Sequence, residues 1–125
     1  MGNYFQKEIE CASADQIRAW QNERLVKQVK NIYDNVPYYR TRMQNKGLEP
    51  GDIKSIDDLH KLPFITKDDL RDAYPYGLLA RPLKDCVRMQ STSGTTGRRV
   101  VAFYTQHDLD LWEDCCARAI VAAGG

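Results

Sequence analysis

No apolar run in this 125-residue sequence approaches the roughly 20 residues that a bilayer-crossing helix needs. Charge of one sign is not in surplus either. Lys and Arg number 18 against 17 Asp and Glu, a net charge of +1, far from the basic excess of a nucleic-acid-binding surface. Neither membrane nor nucleic acid is therefore an expected partner. The first residues, Met-Gly-Asn-Tyr-Phe-Gln-Lys-Glu, lack the apolar core of a secretory signal. Cysteine occurs at 11, 86, 115 and 116 with no Cys-x-x-Cys spacing. Cys115 and Cys116 are adjacent on an expected helix and point about 100° apart, a poor geometry for sharing a metal. Reduced thiols in a cytoplasmic protein are expected. The sequence also lacks Gly-x-x-x-x-Gly-Lys-Ser/Thr and Gly-x-Gly-x-x-Gly, which excludes a Walker loop and a dinucleotide fingerprint.

What is present reads as one small, soluble, folded unit: 42% apolar and 28% charged residues are ordinary for such chains. Ser13-Ala14-Asp15-Gln16 has the pattern of a capping box. Behind it Ile17, Trp20, Leu25, Val29, Ile32, Tyr33 and Val36 recur at helical spacing, predicting a helix over 14–35. Val36 precedes Pro37 and is pushed out of the helical region, ending it. A short helix over 38–46 should stop at Gly47. Two more small helices open at Ser55 and Thr66, and Tyr74-Pro75-Tyr76-Gly77 reads as a turn. Val87–Gln90 and Val100–Thr105 are strand candidates, and Thr105-Gln106-His107-Asp108 caps a last helix over 106–123. Along one side of that helix lie Leu109, Trp112, Cys116, Ala119, Ile120 and Ala123. Two strands are marginal alone, and Gly124-Gly125 reads as a C-cap, so a fragment of a larger protein is expected.

Between the two strands runs Ser91-Thr92-Ser93-Gly94-Thr95-Thr96-Gly97-Arg98, eight residues without an apolar side chain. Glycines let the backbone approach a ligand closely and reach positive φ. Successive amides in such turns form an anion-binding nest, and the hydroxyls of Ser91, Thr92, Ser93, Thr95 and Thr96 add donors that rotate to suit. Arg98 and Arg99 raise the local potential. A polyphosphate fits that chemistry. A solvated hairpin loop fits the composition as well, although plain hairpins are usually shorter and built on Asn-Gly or Asp-Gly.

Thr92-Ser93-Gly94-Thr95-Thr96-Gly97-Arg98 resembles the phosphate-binding motif of adenylate-forming enzymes, Ser/Thr-Ser/Gly-Gly-Thr-Thr-Gly-x-Pro, with Arg99 where those enzymes usually carry proline. Together with NVPYYR (35–40), LPFITKDDLRDAYPYGL (62–78) and STSGTTGRRVVAFYTQHDLDLW (91–112), the chain is similar to the N-terminal part of phenylacetate–CoA ligases. The resemblance implies an α/β fold: an N-terminal helical subdomain over 1–80, then the first strands of a large mixed-sheet ATP-binding domain over 81–125, truncated. It implies activation of phenylacetate or a related aryl acid by ATP to an acyl-adenylate, then transfer to coenzyme A with release of AMP. Ser91, Thr92, Ser93, Gly94, Thr95, Thr96 and Gly97 would hold the ATP phosphates, bridged by Mg2+, and a homodimer is implied as partner. The competing reading is a non-enzymatic nucleotide- or phosphate-binding module, or a helical interaction domain with a disordered polar loop.

Lys67 is a second candidate, placed by the resemblance to orient ATP phosphates. It stands in the first turn of an expected helix, where a cation opposes the helix dipole, within the Thr-Lys-x-Asp-Leu-Arg segment of the resemblance. The plain alternative is a solvated lysine. His107 beside Asp108 is read as a surface or capping residue, and His60 shows no partner. Tyr38 and Tyr39 are expected to pack against the first long helix, and the Leu25–Val36 stripe to be core or a dimer face. The family's magnesium glutamate, ribose aspartate, acyl pocket and closing catalytic lysine have no counterpart in these residues.

Overall fold

The computed structural model describes residues 3–93, 97 and 99–125. Its longest element is helix α2, Ala14–Asn35, preceded by a single turn, α1, Lys7–Glu10. The Ser13 hydroxyl accepts the Gln16 amide at 3.2 Å, so the expected cap is present. The return bond from the Gln16 side chain is not among those of the described residues, and the motif is a single cap rather than a box.

The chain reverses sharply into helix α3, Pro37–Asn45. Val36 is extended, at φ −119° and ψ 96°, as a residue before proline must be. The reversal is held by Arg40, whose guanidinium donates to the Tyr33 carbonyl at 2.8 Å and the Asp34 carbonyl at 2.5 Å. These are C-terminal carbonyls of α2 that the helix itself leaves open. Gly47 then adopts φ +68°, a left-handed conformation that costs glycine little and ends α3.

The core lies between α2, α3 and the segment that follows. Val29, Met43 and Ile53 are almost wholly buried, and Leu25, Tyr33, Leu48 and Leu62 pack around them. The Leu25–Val36 stripe is thus spent on core. Two 3₁₀ turns, Pro50–Asp52 and Ile56–Lys61, wrap this layer onto α2. Asn22 accepts the Ile56 amide at 2.9 Å, and Arg18 pairs with Asp57 at 2.6 Å. Ser55 and Asp58 form a capping box. Lys61 and the Lys54 and Ser55 amides lower the Asp58 carboxyl to about 2. His60 does find a partner, the Asp57 carbonyl at 2.7 Å.

Helix α4, Lys67–Asp72, starts on a Thr66–Asp69 capping box. After the 73–78 turn and a 3₁₀ turn at Leu83–Asp85 come strands β1, Cys86–Ser91, and β2, Val101–Thr105. They form an antiparallel pair with Ser91 opposite Val101, Met89 opposite Phe103 and an irregularity between Cys86 and Arg88. Thr105 and Asp108 box the start of helix α5, Gln106–Ala122. Its end is a Schellman arrangement: the Gly124 amide reaches the Val121 carbonyl and the Gly125 amide the Ile120 carbonyl, with Gly124 at φ +95°.

Among the described residues this second half has none that is fully buried. Val87, Met89 and Ile120 are 57%, 64% and 60% exposed. The apolar side of α5 meets mainly β2, where Trp112 lies 5.7 Å from Tyr104, ring to ring. Arg118 donates to Gln6 at 2.9 Å, joining α5 to the residues before α1.

Candidate functional site

The hydroxyl-rich loop is carried on the β-pair. Ser91 is the last residue of β1, paired with Val101, so the loop starts and finishes on adjacent backbone. Thr92 closes its base with two bonds: its amide donates to the Val100 carbonyl at 3.0 Å, and its hydroxyl oxygen accepts the Val100 amide at 3.1 Å. One predicted phosphate ligand therefore also fixes the width of the loop. Its hydroxyl hydrogen remains available to donate. That closing role was not read from the sequence, where Thr92 is one hydroxyl among several.

Ser91, Thr92, Ser93 and Gly97 are all exposed. Gly97 adopts φ +133°, a region that side-chain-bearing residues rarely enter; the expectation that a glycine here reaches positive φ holds at this position. Gly94, Thr95 and Thr96, and Arg98 beside them, lie outside the described residues.

Below the loop's exit is a cleft of ≈ 760 Å³. Its wall combines Asn31 of α2, Leu70 and Ala73 of α4, Arg81, Val100 after the loop and Asp108 at the start of α5. The fold thus brings α4 and the outgoing strand to one concavity, although the two segments are about thirty residues apart. His107 lines it too. Lys67, at the first position of α4, is exposed and is not among the lining residues.

The start of α4 is the most heavily bonded polar spot among the described residues. Asp69 accepts the Thr66 amide at 2.6 Å and the Thr66 hydroxyl at 2.8 Å, completing the cap. It also accepts the Tyr38 hydroxyl at 2.5 Å and pairs with Arg42 at 3.0 Å, both from α3. Tyr38 in turn accepts Arg42 Nη1 at 2.7 Å, with the guanidinium 5.3 Å from its ring centre. The Tyr38 hydroxyl above all, then Thr66 and Arg42, hold the Asp69 carboxyl well below the usual carboxylate range. Burial first, then the hydrogen bond to Asp69, pushes the Tyr38 phenol up. Tyr38 is therefore more than packing for α2. An aromatic pair in the sequence gave no sign of a partner 31 residues further on.

No protein-family model matches the chain. Among curated proteins, it is 49% identical over 117 residues to the phenylacetate-coenzyme A ligase of Pseudomonas putida and 45% identical over 117 residues to that of Escherichia coli K12. Each alignment takes in 94% of this chain and 27% of the relative, so the chain spans about a quarter of the length of the proteins it matches. A crystal structure of 2-hydroxyisobutyryl-CoA ligase in complex with 2-HIB-AMP and CoA superposes with a TM-score of 0.83 at 25% identity, over 94% of this chain and 26% of that one.

Proposed function

We propose that this chain, 49% identical over 117 residues to a phenylacetate-coenzyme A ligase of which it spans 27%, is the opening part of an enzyme that activates an aryl acid such as phenylacetate. The acid's carboxylate attacks the α-phosphate of ATP, releasing pyrophosphate and leaving an acyl-adenylate; the thiol of coenzyme A then displaces AMP to give the thioester. In this reading residues 1–80 are a helical subdomain and 81–125 open the ATP-binding domain. The homodimer implied by the family goes with the same reading.

One observation carries the assignment of the site: the hydroxyl-bearing residues Ser91, Thr92 and Ser93 are exposed, and the loop they open is pinched at its base by Thr92 and Val100, with Gly97 at φ +133°. A run of this composition offers amides and alcohols to an oxyanion, with no bulky side chain between Ser91 and Gly97. Ser91, Thr92, Ser93, Gly94, Thr95, Thr96 and Gly97 hold the β- and γ-phosphates while the carboxylate attacks the α-phosphate. Both steps build charge on phosphorus or a carbonyl oxygen, which preorganised donors stabilise without reorganising at the moment of reaction. Lys67 adds a cation for the phosphates. The loop has no carboxylate, so Mg2+ is expected on the phosphate oxygens, with no residue of this chain assigned to it.

The test is pyrophosphate release by the full-length protein carrying these residues, assayed with ATP, Mg2+, CoA and a panel of carboxylic acids. Aryl acids should be turned over. ATP binding without release on any acid would favour a nucleotide-binding module instead. Thr95→Val with Thr96→Val should reduce the thermal protection that ATP gives; unchanged protection would remove the loop from the site. The 125 residues alone should form no acyl-CoA.

A further inference from the structure

Both carboxylates that follow Lys67 in the first turn of α4 are already engaged by arginines. Asp68 pairs with Arg71 at 3.0 Å, and Asp69 pairs with Arg42 at 3.0 Å. Lys67 has no hydrogen bond or ion pair among the described residues. Capping α4 requires only Thr66 and Asp69. Yet Asp69 also takes two bonds from α3, and the groups that give them are themselves locked. Tyr38 and Arg42 stand one turn apart on the same face of α3. The Tyr38 hydroxyl donates to Asp69 and accepts from Arg42, so its hydrogen has one direction.

We infer that Tyr38 and Arg42 are positioning residues for Lys67: by engaging Asp69 they fix the start of α4 on α3 and so hold in place the ammonium that meets the ATP phosphates. The inference rests on the proposed role of Lys67. A helix of six residues is too short to hold its own shape, so its first side chain is aimed only as well as the helix is tied down.

The experiment uses the full-length protein with Tyr38→Phe, which keeps the ring, and Arg42→Gln as a second variant. Two quantities are read: amide hydrogen exchange over residues 66–72, and the kinetics of ATP–pyrophosphate exchange with an aryl acid. Both variants should speed amide exchange in that segment. The KM for ATP should rise about tenfold, as expected for a misplaced charge at a polyphosphate site, while kcat and the KM for the acid change little. In a Lys67→Ala background the same substitutions should add almost nothing, since residues acting through one another are non-additive. Unchanged amide exchange over 66–72 overturns the latch. Faster exchange with an unaltered KM for ATP, or with effects that add to Lys67→Ala, overturns the positioning role while leaving the latch. Absence of any ATP–pyrophosphate exchange by the unsubstituted protein overturns the ligase reading and the positioning role with it, whatever amide exchange shows.

Discussion

Met43→Ala tests where this chain keeps its stability. Met43 is fully buried, in contact with Val29 and Ile53, which are each 1% exposed. Removing its thioether leaves a cavity walled by α2, α3 and the Ile53 segment, and substitutions of this kind cost about 2–5 kcal/mol. α2 and α3 are tied at their junction by Arg40 and their packed faces have little freedom to collapse inward, so a value near the middle, about 3 kcal/mol, is expected. For a chain of this size that corresponds to a fall in Tm of roughly 10–15 °C. The control is Ile120→Ala. Ile120 is 60% exposed on α5, and its loss should stay within about 0.5 kcal/mol. Thermal unfolding followed by circular dichroism at 222 nm, on the 125-residue chain, gives both numbers. If the two substitutions lower Tm equally, the buried cluster of α2 and α3 is not what holds the chain together.

Other outcomes follow from single residues. Asp58 is lowered from its ordinary 3.8 to about 2 by Lys61 and two amides. A depressed carboxyl contributes stability that is complete above its unfolded value and is lost as pH falls through its folded one. Acid unfolding between pH 4 and 2 should therefore be steeper in the unsubstituted chain than in Asp58→Asn; parallel curves would count against the contribution. Thr105→Ala removes the α5 cap and should cost about 1 kcal/mol, with faster amide exchange in the first turn of that helix as the specific sign. Gly97→Ala places a side chain at φ +133°. It should strain the loop and lower the ligand-free Tm, and in addition reduce the ATP-induced shift in Tm; a full ATP-induced shift would separate that glycine from the nucleotide.

The elements were legible because their signals are local. Ser13, Ser55, Thr66 and Thr105 each precede a helix and each accepts an amide of its first turn. Val36 and Gly47 mark ends through backbone restrictions that act within one or two residues. The loop's chemistry is equally local, a run of hydroxyls and glycines between two strands. α1 was missed because one turn of four residues has no periodicity to detect. The contribution of Arg40 to the chain reversal was missed because a guanidinium reaching open carbonyls needs only proximity, not a pattern.

The sequence alone determined the longer helices and both strands, and that residues 91–97 are a run of hydroxyls and glycines between them, because propensity, capping and turn chemistry act over a few residues. The tertiary structure decided what those pieces do together. It gave Thr92 the base of the loop, placed α4 and the outgoing strand on one cleft, and joined Tyr38 and Arg42 to Asp69. Such pairings depend on how helices pack, and a side chain's reach across that packing is not encoded by its neighbours in the chain.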